Sequence, residues 1–508
     1  MLASSSLLSQ PDTGKVSTSV ESGPGSVEDS CRQSQGNVPL ERKWQSFWKR
    51  VLDRIGVDDA VGFAVVSKIW QLLTGPITQF LLVVRFTPAL QDYYYAFNNL
   101  LGLQVFVELG LHIVLINVSS HEWAQLRLRD GRIAGDREAK SRLISLGRMM
   151  FLWYGILAMI FSVGASLAGI VFFRESAALT AELNPLRAQV QWVYPWIVLV
   201  ILNGLQLPLL PMTAILEGCH QIAVVNRIRC FQAVIGTMVV WLAISSGSGL
   251  WALVGSAAVR LVGEGYLIGV RYRAFFEEFL CPADSSRIGW REEILPLQWR
   301  IAVQGVLLWL ANQMPLLLIF TERPEGEAAR LGMTWTILTA FQGGALAWIE
   351  TRRPVFGTLV AEKNYVELDR LFFRLTRMSM FIMTLVTTFF CLAVWWMGSR
   401  SEGLFVRISE RLLPLDATLL FSAAMVLIQF ALCTNLYVRA HKRDPFLLAS
   451  IASSLTVAGA QLWLGTLYGS TGIGLGYLLG IGCVQVPLWT LIWIQTRKEW
   501  HQIEAKHA

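Results

Sequence analysis

The chain has 508 residues, of which 54% are hydrophobic and only 16% charged, and its mean hydropathy is +0.48. A soluble domain charges about a quarter of its residues, so lipid must be the solvent for most of this surface, and a soluble enzyme is excluded. The net charge of +7 is carried by Lys and Arg beside apolar runs. It therefore reads as helix orientation rather than as a nucleic-acid surface.

Residues 1–40 are rich in Ser, Gly, Pro and Gln. They cannot bury enough apolar surface to fold and are expected to form a disordered cytoplasmic tail. Residues 41–57 have a different pattern. Trp44, Phe47, Trp48, Val51, Leu52 and Ile55 recur at helical spacing, with Arg and Lys between them. That predicts an amphipathic helix lying on the inner leaflet. Beyond it, runs long enough to cross a bilayer fall near 60–84, 93–117, 149–173, 191–215, 223–246, 249–270, 301–321, 331–349, 375–397, 416–438, 445–468 and 471–494. The first and eighth of these twelve spans are the most polar. Cysteines 31, 219, 230, 281, 391, 433 and 483 show no metal spacing and read as reduced.

With the N-terminus inside, inner segments carry 31 Lys and Arg and outer loops carry eight. This bias predicts an even number of spans, with both termini cytoplasmic in the plasma membrane. Six spans precede a basic inner connection over 276–300 and six follow it. Two lobes, 58–275 and 301–496, are therefore expected as a parallel repeat, before a cytoplasmic tail over 497–508. Trp70-x5-Pro76 in span 1 matches Trp309-x5-Pro315 in span 7, and long basic inner segments follow spans 2 and 8. Pro76 and Pro315 each leave one carbonyl without its helical partner and are candidate gating kinks.

The stretches VSKIWQLLTGPITQFLLVVRF and YYYAFNNLLGLQVFVELGLHIVLINVSSHEWAQL, with the LEG…VNRIR turn, resemble the multidrug/oligosaccharidyl-lipid/polysaccharide (MOP) exporter superfamily. Within it they are similar to the flippases of lipid-linked oligosaccharides. The resemblance covers roughly 58–496. It implies an all-α membrane protein with two six-helix lobes, a cavity lined mainly by spans 1, 2, 7 and 8, and alternating access. A polyprenyl-diphosphate-linked glycan is the implied substrate and membrane lipid the implied partner. No cofactor or metal is expected, though coupling to H+ or Na+ remains open.

Charged and amide side chains at bilayer depth are site candidates, because burying them costs several kcal/mol unless they are paired or hydrated. Lys68, Gln71 and Gln79 lie on span 1, Asn98, Gln104, Glu108 and His112 on or beside span 2, Asn312 and Gln313 on span 7, and Gln342 on span 8. Given the implied cavity, Lys68 would attract a diphosphate and the amides would bind sugar hydroxyls. Glu108 and His112 could instead relay a proton. Arg260 and Glu264, at i and i+4 on span 6, read as a structural ion pair or as cavity residues. Trp70, Trp309 and Trp335 are candidates for stacking on sugars.

Three rival readings fit the residues less well. An enzyme would need catalytic groups on a sizeable outer loop, and 174–190 and 398–415 hold no His or paired carboxylates. A major-facilitator transporter is suggested only by GRIAGDREAK over 131–140. A multidrug/cation antiporter would need an acidic cavity, for which Glu108 alone qualifies. The charge bias yields a direct test: a cysteine placed in 119–148 should resist impermeant thiol reagents in intact cells. Labelling without permeabilisation would refute the orientation.

Overall fold

The computed structural model describes residues 59–108, 111–179, 187–280, 289, 295–400, 402–441 and 445–505. The expected tail over 1–40 and the interfacial helix over 41–57 lie outside them. Residues Asp59–Ala508 form one compact unit.

The chain is a multi-pass, all-α membrane protein, and every predicted span is helical. Span 1 is α1 (Asp59–Arg85), after which Thr87 caps α2 (Pro88–Leu101) by accepting from the Leu90 amide at 3.2 Å. Span 2 is not one helix. It passes from α2 through a 3-10 turn at Gly102–Gln104 into α3 (Val105–Glu108), then α4 (Leu111–Trp123). Spans 3 to 6 are α5 (Arg137–Leu179), α6 (Val193–Gln206) with α7 (Leu210–Gly218), α8 (Ile222–Ser245) and α9 (Trp251–Tyr266). The short α10 (Arg273–Glu277) begins the inner connection.

Spans 7 and 8 are α11 (Leu295–Glu322) and α12 (Glu327–Glu350), followed by α13 (Arg353–Ala361). Spans 9 and 10 are α14 (Tyr365–Gly398) and, after α15 (Leu404–Ser409), α16 (Leu415–Arg439). Spans 11 and 12 join in α17 (Leu447–Leu479), whose direction breaks at Gly469 with φ 64°. α18 (Val486–Ala505) follows, so helix continues into the expected tail over 497–508. Among the described residues, eight stretches are apolar enough by length and composition alone to cross a membrane, one of them covering spans 11 and 12 together. The described residues of spans 1 and 8 do not reach that mark, and both make contacts across the lobes.

The two halves pack alike. α1 lies along α8 as α11 lies along α17, and α5 meets α6 as α14 meets α16. The internal repeat is therefore a repeat of contacts as well as of loop lengths. The long basic inner segments differ between the halves, however. In the second half the segment forms α13. In the first it forms a hairpin, β1 (Leu126–Arg129) against β2 (Arg132–Gly135), closed at Asp130-Gly131 with φ of 51° and 78°. Positive φ at both central residues is the primed turn that suits strand twist. The stretch compared above with a major-facilitator loop is thus β2 and the start of α5.

One apolar core crosses both lobes at the end holding the α1–α2 and α11–α12 turns. It joins Tyr93, Phe97 and Phe173 to Phe320, Ala328 and Leu413. At the opposite end each lobe has its own core, around Phe275 in the first and around Phe372 and Tyr437 in the second. The lobes are therefore sealed together at one end and, among the described residues, have separate cores at the other.

Candidate functional site: an amide-lined cavity beneath a sealed end

The seal is built from charges that cap helix ends across the interface. Asp92, on the first turns of α2, accepts from the amides of Gly326 at 2.7 Å and Ala329 at 2.6 Å, both at the start of α12. A carboxylate there satisfies amides that no helical carbonyl reaches, and it faces the positive end of the helix dipole. Arg187 bonds the same carboxylate at 2.8 Å. It also donates to the Phe320 carbonyl near the end of α11 at 2.6 Å, with its guanidinium 4.4 Å from the Phe320 ring centroid. The two side chains are 0% and 1% exposed.

A counterpart runs the other way. Arg411, ahead of α16, donates to the Phe86 carbonyl past α1 at 2.8 Å and to Gln91 at 3.2 Å. Arg187 precedes span 4 and Arg411 precedes span 10, so the clamps are crossed copies of one another. Burial lowers the pKa of Arg411, while the carboxylates of Asp92 and Glu410 oppose that shift. A guanidinium remains a cation in either case.

Beneath the seal lies a cavity of about 310 Å³ between the lobes. α1 and α2 contribute Gln79, Tyr94, Tyr95, Asn98 and Asn99. α11 and α12 contribute Asn312, Gln313, Pro315, Trp335 and Thr336, and Gln461 comes from α17. These are the spans the resemblance implied, with spans 10, 11 and 12 added. No lining residue carries a formal charge. Asn98, Asn99 and Asn312 each spend their amide N–H on the carbonyl four residues back, at 2.7 to 2.9 Å. That leaves their amide oxygens as acceptors for a ligand's donors. Gln79 accepts from the Tyr95 hydroxyl at 2.6 Å.

Pro315 explains Gln461. A proline at 315 deprives the Ala311 carbonyl of its helical donor. The buried Gln461 side chain supplies one instead, at 2.9 Å. The predicted lesion in span 7 is thus real, and a neighbouring span fills it.

Several sequence candidates lie elsewhere. Lys68 and Gln71 are exposed on α1 and do not line this cavity. Gln342 lies against the Met425 sulfur at 3.5 Å. Gln104 donates to Glu108, while His112 stands 3.9 Å from Glu217, which Arg229 also bonds at 2.6 Å. Glu108 and His112 therefore have different partners. The expected Arg260–Glu264 pair is not closed: Glu264 is buried and accepts from Gln206 at 3.1 Å, while Arg260 is exposed on α9. Of the three tryptophans, only Trp335 lines the cavity. Trp70 donates to Thr237 at 3.4 Å, and Trp309 is buried against Gly102, where a Cβ would come within 2.6 Å of its ring nitrogen. Pro76 is exposed on α1.

Asp92, Arg187, Arg411, Glu217 and Gln461 were not singled out from the sequence. Asp92 at the edge of span 2 and two outer arginines before spans 4 and 10 were the available signals.

No family model matches the sequence, and none of the curated proteins does. Solved structures do. An inward-facing multidrug resistance MATE family transporter of the MOP superfamily is similar over 88% of this chain and 99% of its own, with TM-score 0.64 and 15% identity. The lipid II flippase MurJ in an inward closed conformation is similar over 86% and 87%, with TM-score 0.59 and 11% identity. The chain has the MOP-transporter fold. An outward-facing MATE transporter overlays less well, with TM-score 0.52 and 13% identity over 88% and 97%.

Removing one partner of a buried ion pair costs about 3–5 kcal/mol. Arg187→Gln should therefore part the lobes at the sealed end, and Asp92→Asn with Arg187→Gln should do so less. Spin-label distances between the α1–α2 and α11–α12 turns would show it, and unchanged distances would refute the latch. Gln461→Leu leaves the Ala311 carbonyl without its side-chain donor at a cost of about 1–3 kcal/mol. A lower melting temperature is expected, and Pro315→Ala should restore much of it.

Proposed function

We propose that the chain is a MOP-superfamily transporter that moves a lipid-linked oligosaccharide across the plasma membrane by alternating access. In this reading the sealed end is extracellular and the end bearing the chain termini is cytoplasmic, as the Lys and Arg bias suggests. The conformation described is then the loading state.

The observation that supports a glycan is the chemistry of the cavity. Amide oxygens, amide N–H groups and phenol and threonine hydroxyls surround it, with Trp335 on one wall and no formal charge. Sugars offer many hydroxyl donors and acceptors, with an apolar ring face that stacks on indole. A cation antiporter would need a carboxylate at the bound drug, and Glu108 does not line this cavity. The fold alone is compatible with drugs or glycans, so the proposal rests on the lining. Lys68 then has no role at the sugar, and any contact with a diphosphate would be made near the cytoplasmic end of α1.

Transport into proteoliposomes tests this. Gln313 makes no side-chain hydrogen bond among the described residues, so Gln313→Leu removes ligand contacts without orphaning a partner. Gln313→Leu with Asn312→Leu should lower flipping of a polyprenyl-diphosphate oligosaccharide by about 10-fold or more, one or two lost hydrogen bonds costing about 1–3 kcal/mol. Abundance should be unchanged, and Glu108→Gln should have little effect. The converse result, with Glu108→Gln abolishing H+-driven export of a cationic drug and the amide variants silent, would establish the multidrug reading instead.

A further inference from the structure

The β1–β2 hairpin carries a basic surface that is no part of the cavity lining. Its register pairs Arg129 with Arg132 and Arg127 with Ala134. Directly opposed residues share a face, so Arg127, Arg129 and Arg132 stand together on one side. All three are exposed. None has an ion-pair or hydrogen-bond partner for its side chain among the described residues, whereas the neighbouring cations do: Lys140 pairs with Glu278 at 2.9 Å and Arg142 with Glu122 at 2.8 Å. Like charges directly across a ladder destabilise it, and Ala134 leaves room beside them.

The other face fixes the hairpin to the first lobe. Leu126 and Ile133 are buried in the core around Phe275, and the Ile133 amide donates to Glu278 at 3.3 Å. The hairpin is thus held, not dangling. It starts a few residues past Val118, the last apolar residue of α4 before Ser119. Taking Val118 as the hydrocarbon edge, the five residues of α4 that follow, at about 1.5 Å each, and the turn after them put the hairpin roughly 10 Å beyond it. A headgroup layer about 5–8 Å deep is within reach of an extended arginine.

We propose that this three-arginine face docks on the headgroups of anionic glycerophospholipids in the leaflet beside it. Guanidinium forks match phosphate oxygens in pairs, and the phosphates would screen Arg129 from Arg132. The Asp130 carboxylate at the turn is the one acid between them in sequence and leaves the strands net cationic.

Purified full-length protein in phosphatidylglycerol or phosphatidylcholine nanodiscs tests it. The wild type should melt higher in phosphatidylglycerol. Arg127→Ala/Arg129→Ala/Arg132→Ala should lose most of that gain while melting no lower than wild type in phosphatidylcholine. Native mass spectrometry should show phosphatidylglycerol retention falling by at least about fivefold, the worth of one arginine near an anionic surface. The triple Lys variant should keep most of the retention. An equal phosphatidylglycerol gain in the Ala variant overturns the proposal. So does an equal rise of wild type with inorganic phosphate in phosphatidylcholine discs, since the site would then take free phosphate rather than a membrane surface.

Discussion

Asp92 and Arg187 are the pair on which the arrangement of the lobes depends. Both belong to the first half, and both reach helix ends of the second. Burying two charges is expensive, and their mutual attraction seldom repays it without further hydrogen bonds. Here those bonds come from the two amides starting α12 and the carbonyl near the end of α11, groups that every helix leaves without internal partners. One charge pair therefore resolves two problems: its own desolvation and the exposed ends of the α11–α12 turn. The aromatic cluster of Tyr93, Phe173, Trp192 and Phe320 packs around it, with ring centroids 5.0 to 6.2 Å apart, and keeps water out.

The same pair sets the position of the cavity. Asp92 lies two turns from Asn98 and Asn99 on α2, and Ala329 lies close to Gly332 and Trp335 on α12. Fixing the first turns of α2 against those of α12 brings their next turns face to face. Gly332 marks how close that approach is, since a Cβ there would come within 2.4 Å of the Tyr95 ring. Amides on one lobe then face amides on the other without meeting, and the gap between them is the polar cavity.

The spans were legible because a bilayer allows few solutions, and an apolar run of helix length has almost one reading. The positions of Gln79, Asn98, Asn312 and Gln313 followed once span order was mapped onto the implied architecture. What escaped was of two kinds. The hairpin had a local signal, Asp130-Gly131 between alternating apolar and basic residues, that the charge count obscured. The latch and the Pro315–Gln461 bond had no local signal. Asp92 and Arg187 are 95 positions apart and Gln461 lies 150 from Ala311. Only the fold brings them together. The 3-10 turn in span 2 also went unread, although Gly102 starts it.

Under the proposed alternating access the seal must open without stranding a charge, and placing both charges on one lobe meets that requirement. If the lobes part, Asp92 and Arg187 can leave together. What breaks is their bonding to Gly326, Ala329 and Phe320, with the two bonds of Arg411 to Phe86 and Gln91. Each such bond is worth about 1–3 kcal/mol where a charge takes part, and water entering the gap replaces it. Had the pair spanned the interface, opening would have separated two ions across a low-dielectric gap, where their attraction is strongest. A pair held within one lobe, bonded across the seam only to neutral backbone, keeps the closed state specific in register and the open state accessible. The apolar core around the latch would then supply most of the closing force, and the charges would define where closing stops.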